Sequence, residues 1–358
     1  MRARSAVWIA GVLVVGLAIG VAVAVASSLS SLSPDHHQTT GIVLPTPSPV
    51  PSPSPTVRTA GLLGDSPRLE TNGSNTVIGI GPNVAVASAD GGRTWITVQQ
   101  PPGGSGLAVD ASNPRHAISG GSTVHVTQDG GASWSAALKP PPGKGPYQPL
   151  AISPIEPSVW FFVHQGRLLV TRDGSSTWAD LGGLPTLVSP VLVSGQALGQ
   201  FFLAAGSSVF QLSNYGQKIT SEPVLTQGGV SDLVVVGGNV VSLLARVAGH
   251  GAYVLSGSSW VAAGVLSGPV AGGADGAMLV GNGGAKLGVA GVISYSPDGG
   301  ITWNQATGLP PDQTVDALAG QPASSTFYAY CYGGDIYASV DNGRTWTILS
   351  RALRTATG

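Results

Sequence analysis

Ser88-Ala89-Asp90-Gly91-Gly92-Arg93-Thr94-Trp95 combines a carboxylate, paired glycines and a guanidinium within eight residues. Such a set could cradle a phosphate on backbone N–H groups or offer oxygens to calcium. The pattern returns at Thr127–Trp134, Thr171–Trp178, Ser296–Trp303 and Ser339–Trp346, giving Asp90, Asp129, Asp173, Asp298 and Asp341 the same setting. One carboxylate per turn falls well short of the roughly six to eight oxygens that calcium takes. No metal and no cofactor is expected there, and Arg93, Arg172 and Arg344, at variable positions of the pattern, read as solvated surface charges.

Five copies imply punctuation of a repeat. With Trp260 included, the tryptophans Trp95, Trp134, Trp178, Trp260, Trp303 and Trp346 step by 39, 44, 82, 43 and 43 residues. The long step is two units, so one box is eroded; "VFQLSNYGQKIT" puts Ser213 and Gly216 at its start and Thr220 in the tryptophan place. The next unit, "YVLSGSSW", keeps Trp260 on a shortened turn. A Gly-rich period near 42 with β-branched runs reads as one four-stranded sheet per unit. The second unit shows it as "SGLAVDA", "HAISGG", "TVHVTQ", the box and "SWSAAL"; the last as "DALAG", "TFYAYCY", "DIYASV" and "TWTIL". One such sheet cannot bury both faces alone, so the units must stack about an axis. The expected fold is all-β, a seven-bladed β-propeller of four-stranded antiparallel blades. In each box the glycines supply φ > 0, the Asp accepts turn N–H groups, and the indole covers the layer between sheets.

Composition narrows the function. Of 358 residues, 42% are hydrophobic and only 9% charged, with a net charge of −1, so no basic field exists to attract nucleic acid. The 53 glycines and 27 prolines oppose long helices. The lone Cys331 forbids an internal disulfide and a cysteine-rich zinc site, and reads as a buried thiol.

Arg2 and Arg4 precede an apolar run of 21 residues, Ala6 to Ala26, which as a helix spans roughly 30 Å. This is the length of a retained signal anchor, although "AVAVASS" also carries the small-x-small pattern of a cleaved signal peptide. On either reading the arginines stay inside and the rest lies outside the cytoplasm. The expected organisation is an anchor over 1–27, a Pro/Ser/Thr-rich linker over 28–59, the propeller over 60–352 and a tail over 353–358. The linker is extended and solvated, and its His36 and His37 lack further ligands for a metal. A monomer is expected.

The motif S/T-x-D-x-G-x-T-W resembles the Asp-box, or bacterial neuraminidase repeat (BNR), and "AVDASNPRHAISGG" resembles the first-strand, turn and second-strand segment of such units. The resemblance covers the chain beyond the stalk and implies a propeller of the class that includes sialidases, xyloglucan-type glycosidases, sortilin-type receptors and the photosystem II stability and assembly factor. It implies fold more than function. In Asp-box sialidases the active site lies on the face away from the boxes. Alternating strands put the second-to-third turns and the connections between units there, and with them Gln99, Lys139, Lys144, Tyr147, His164, Arg167, Arg246, His250, Asp275, Asp312, Asp316, Tyr332 and Asp335. Asp275, Asp312, Asp316 and Asp335 are the catalytic candidates; Tyr147, His164, Arg167, Arg246, His250 and Tyr332 are the binding-face candidates.

The sialidase pattern needs three arginines, a Tyr with a Glu, and an acid/base Asp. Here only Glu70, Glu156 and Glu222 exist, Glu156 falls on the box face, and Arg68, Arg167 and Arg246 would all be needed. The Arg-Ile-Pro motif of sialidases is missing, and those enzymes are generally six-bladed. Xyloglucan-type enzymes build deep clefts from long insertions, for which units of about 42 residues leave no room. The assembly factor matches in blade number, export and size, but its arginine-rich patch has no counterpart here. The expectation is a membrane-tethered binding or scaffold module for an extracellular protein or glycan. A glycoside hydrolase on the same fold and an assembly-factor-like role are the alternatives.

Overall fold

A computed structural model of the chain describes Leu63 and residues 67–72, 75–82, 84–238, 242–263, 266–283, 292–351 and Leu353. The chain divides into Met1–Pro55 and Thr56–Gly358, and every described residue belongs to the second unit. The expected anchor and the whole of the expected linker lie outside the described residues. Among the described residues no helix is long and apolar enough to cross a membrane.

Every sheet is an antiparallel meander, as runs of alternating apolar residues separated by Gly-rich turns require. The first holds β1 (Arg68–Thr71), β2 (Val77–Ile80), β3 (Val84–Ser88) and β4 (Ile96–Gln99). Next come β5 (Gly104–Val109), β6 (Ala117–Gly121), β7 (His125–Thr127) and β8 (Ser135–Ala136), then β9 (Tyr147–Ile152), β10 (Trp160–His164), β11 (Arg167–Thr171) and β12 (Ala179–Leu181). These two meanders form one eight-stranded sheet, joined where Gly121 of β6 pairs with Tyr147 of β9. Four-stranded sheets follow: β13 (Val191–Ser194), β14 (Phe201–Ala205), β15 (Ser208–Ser213) and β16 (Lys218–Ser221); then β17 (Val230–Val236), β18 (Ser242–Val247), β19 (Gly251–Ser256) and β20 (Ser259–Ala262). The last two are β21 (Val270–Gly272), β22 (Met278–Gly281), β23 (Ile293–Ser296) and β24 (Asn304–Gln305), and β25 (Val315–Ala319), β26 (Phe327–Cys331), β27 (Asp335–Ser339) and β28 (Thr347–Ser350). The architecture is an all-β propeller with four-stranded antiparallel blades.

Apolar clusters fill the layers between neighbouring blades, for example Phe161, Leu168, Val170, Phe201, Leu203 and Leu212 between β9–β12 and β13–β16. Last and first blades pack directly: Ala317, Tyr328, Tyr330 and Ile336 meet Leu69, Val77 and Val86, and Leu63 and Leu353 are buried in the same layer. Among the described residues the ring therefore closes by packing of whole sheets, with no strand exchanged between the last and the first.

The repeated turns connect third to fourth strands. Asp90 accepts the Ser88 and Thr94 hydroxyls at 2.7 and 2.6 Å and the Arg93 and Thr94 N–H groups at 3.0 and 2.9 Å. The Ser88 hydroxyl oxygen accepts the Gly92 N–H at 2.7 Å. Asp129, Asp173, Asp298 and Asp341 repeat the pattern with Ser133, Thr177, Thr302 and Thr345. Bonds from those side chains and their N–H groups hold Asp129 and Asp173 at about 2 and lower Asp90 and Asp298. At Asp341 burial opposes the shift and the Thr345 bonds overcome it. Each box also bonds the first-to-second turn of its own blade, as in Gly91 N–H to Asn75 O at 2.6 Å and Gly130 N–H to Arg115 O at 2.9 Å. Boxes and these turns thus share one face.

The eroded box sits one residue earlier than the sequence suggested. The first residue of each second strand pairs with the first box residue, as Val77 with Ser88, Trp160 with Thr171 and Phe327 with Ser339. In the degenerate blade Phe201 pairs with Leu212, and Ile219, opposite Leu212, takes the tryptophan place instead of Thr220. Tyr215 N–H bonds Gly199 O at 2.8 Å, as Gly91 bonds Asn75. Tyr215 and Gly216 then carry the positive φ angles, 57° and 85°, that Gly91 and Gly92 carry at 73° and 87°.

Candidate functional site

The first strands face the axis, and six of them, β1, β9, β13, β17, β21 and β25, line a cavity of about 580 Å³. Its walls are largely aliphatic, with Leu69, Ile152, Leu192, Leu233, Val270 and Leu318 among them. The charges are Arg68, Glu70, Asp232, Arg246 and Asp316. Arg68, Asp232 and Asp316 sit near the starts of their strands, and Arg246 near the end of β18. All four therefore lie toward the face away from the boxes.

Backbone irregularity positions the two aspartates. Pairing of β17 with β18 shifts between Val230 and Asp232, and pairing of β25 with β26 shifts between Val315 and Ala317, where Asp316 is the extra residue. A bulge of this kind re-aims side chains at a sheet's end. Asp232 stands opposite Arg246 across the strands and accepts the Leu233 N–H at 3.0 Å and the Val270 N–H at 3.4 Å. Burial nevertheless pushes its carboxyl up to about 6, with the Val270 N–H and Arg246 opposing the shift. The Arg246 Nε–H donates to Ser267 O at 3.1 Å, and Arg68 pairs with Glu70 at 2.8 Å. The arrangement offers two guanidiniums and three carboxylates in one concave, otherwise apolar site, able to orient a polar ligand.

Of the sequence candidates, Asp316 and Arg246 enter this cavity, as do Arg68 and Glu70. The others are elsewhere. Asp275 is a correction: it occupies the turn between β21 and β22, with φ 53°, and Gly299 N–H bonds the adjoining Gly276 O, so it lies on the box face. Asp335 is another, buried at 3% exposure at the foot of the β26–β27 hairpin, opposite Cys331. Asp312 is exposed on the connection between blades.

Tyr147 is buried, its hydroxyl donating to Gly143 O at 2.8 Å and its ring 4.7 Å from that of His164, whose Nδ1 is 3.2 Å from Pro146 O. This tilted ring pair braces the connection before β9 and is buried away from any open surface. Arg167 is paired with Asp180 at 2.9 Å between β11 and β12, toward the rim. His250 is exposed on the β18–β19 turn, and Tyr332 is half-buried beyond β26, its N–H bonded to Thr314 O. Gln99 and Lys144 are exposed, while Lys139 is bonded through its backbone to Ser175 and Trp178 of the next blade's box.

Asp232 was missed. Its signal was an acid inside the first-strand run "VSDLVVV", parallel to Asp316 in "VDALA". A Tyr–Glu pair of the sialidase kind does form, since the Tyr215 hydroxyl donates to Glu156 with Arg172 5.3 Å over the ring. It lies on the box face, however, and no tyrosine lines the cavity. Cys331 is buried, and among the described residues no group of three or more His, Cys, Asp or Glu is placed to hold a metal.

No protein-family model and no curated protein matches the sequence. Solved structures do match in shape. PorZ, an essential surface component of the type-IX secretion system of Porphyromonas gingivalis, aligns with TM-score 0.50 and 11% identity over 82% of this chain and 39% of its own. The GH74 enzyme of Niastella koreensis aligns with TM-score 0.46 and 14% identity over 81% of this chain and 60% of its own. YCF48 bound to D1 peptide aligns with TM-score 0.48 and 17% identity over 68% and 79%. This chain therefore spans less than two thirds of the length of the first and second of these. At such identities the PorZ likeness supports the propeller fold alone, and the weaker two add no argument.

Proposed function

We propose that this chain is a seven-bladed Asp-box propeller, tethered outside the cytoplasm by its N-terminal segment, that binds an extracellular protein or glycan at its channel mouth. Reading the eight-stranded sheet as two blades, whose strands pair with each other at Gly121 and Tyr147, leads to that count. The shared Asp-centred bonding of the five boxes supports the repeat identity. What carries the binding role is the mixed charge of Arg68, Glu70, Asp232, Arg246 and Asp316 around one apolar cavity. The test is cross-linking of the full chain on intact cells, comparing native protein with the Arg68→Ala/Arg246→Ala double variant. The ligand should be captured by the first and lost from the second; equal capture would sink the channel as the site.

A glycoside hydrolase is the second reading, favoured by one observation: a carboxyl raised to about 6 at Asp232 in the same cavity as Asp316. A protonated acid near a second carboxylate is what glycoside cleavage requires. Release of fluorophore from β-glucosides or sialosides, abolished in Asp232→Asn, would establish it; absence of turnover leaves the binding role.

A further inference from the structure

Six layers between blades contain a box indole, with Trp95, Trp134, Trp178, Trp260, Trp303 and Trp346 each packed against the preceding blade. The layer between the β9–β12 and β13–β16 blades has Ile219 in that place. There the structure opens a groove of about 800 Å³ on the outer rim. Val170, Trp178, Leu181, Phe210 and Ile219 form its apolar walls.

The neighbouring layers show what such a groove holds. Trp178 donates its Nε1–H to Lys139 O at 3.0 Å, and Trp260 donates to Pro223 O at 2.7 Å. Lys139 and Pro223 both lie just beyond the last strand of the preceding blade, and the counterpart beyond β12 is Gly182-Gly183, which lines the groove. The groove therefore keeps the apolar walls and the carbonyl-bearing segment of an indole site without the indole. Two glycines there also leave the backbone open to approach by another chain.

We infer that this groove is a docking site for a tryptophan side chain presented by an extended segment of a partner protein. It is separate from the channel and stands whether or not the channel binds anything. Arg172, Asp180, Gln217 and Ser221 line its edges, with Asp180 paired to Arg167 and Arg172 bonded to Tyr215 O within the chain.

The full chain in lipid nanodiscs is titrated with N-acetyl-tryptophanamide and with the peptide Gly-Gly-Trp-Gly-Gly, followed by saturation-transfer NMR. Ile219→Trp serves as the self-filled variant and Ile219→Phe as a milder one, both checked for folding by thermal unfolding. Saturable binding is expected to native protein, at least as tight for the peptide, weakened about ten-fold or more in Ile219→Trp and by an intermediate factor in Ile219→Phe. Absence of saturable binding to the native chain, or equal binding to the native and Ile219→Trp proteins, overturns the site. Displacement of the peptide by a xyloglucan oligosaccharide at lower concentration overturns the protein side chain as its occupant.

Discussion

Ile219 faces Leu212 across β15 and β16, just as Trp260 faces Leu255 across β19 and β20. The two hairpins hold equivalent places, and only the second sets an indole at the rim of the layer beside it. Ile219→Trp should therefore bury added apolar area against Leu181 and Phe210. At roughly 25 cal/mol per Å², partial burial of an indole contributes about 1 kcal/mol. Thermal unfolding should show a rise of roughly 2 °C for a domain of this size; a fall would mean that the groove is too narrow to accept the ring.

The box aspartates give the fold an acid limit. Their folded pKa values lie below the usual 3.8, at about 2 for Asp129 and Asp173. A depressed carboxyl contributes stability that is present above the unfolded pKa and lost as pH falls through the folded one. Stability should hold down to about pH 4 and decline toward pH 2. Asp129→Ala should lower Tm by several degrees at pH 7 and make the remaining acid decline shallower, measured by circular dichroism across that range.

His116 and Asp110 form a buried pair at 3.0 Å, 6% and 1% exposed, in the turn between β5 and β6. Burial would raise the Asp110 carboxyl, but bonds from His116 and Ser112 outweigh it and lower the value. His116→Ala leaves that carboxyl with Ser112 and opens space beside Trp160, 5.9 Å from the imidazole. A loss of about 2 to 4 kcal/mol is expected from the orphaned acceptor and the cavity. Chemical denaturation would measure it, and a change under 0.5 kcal/mol would rule out a structural pair.

What the sequence disclosed follows the range of the interactions. A box is closed within eight residues by Ser88, Asp90 and Thr94, so its chemistry is written locally and reads directly. The degenerate box misled by one residue because Ser213 imitates a box serine, while the true register is fixed by Phe201 and Gly199 more than ten residues away. Asp275 read as a connection on the open face because the short β21 strand ends sooner than its Gly-rich surroundings suggest. Tyr147 and Asp335 are polar by type, and only tertiary packing reveals that they are buried. Asp232 is the converse case. Its elevated pKa arises from the closing of six first strands around it, which no single strand announces.

That environment gives Asp232 a carboxyl raised toward neutrality. Its pKa rises from 3.8 unfolded to about 6 folded, so between those values the native state holds more protons than the unfolded chain. Its contribution to stability is therefore full below about pH 4 and lost as pH rises through 6. Two units at about 1.4 kcal/mol each set a ceiling of roughly 3 kcal/mol, reduced by water in the channel. The native protein should lose a few degrees of Tm between pH 5 and pH 7, and Asp232→Asn, which cannot ionise, should lose less. The side chain keeps an oxygen for the Leu233 N–H, so the variant tests the charge more than the packing. Parallel pH profiles for the two proteins would show that Asp232 titrates with an ordinary carboxylate pKa, and would remove the acid on which the hydrolase reading depends.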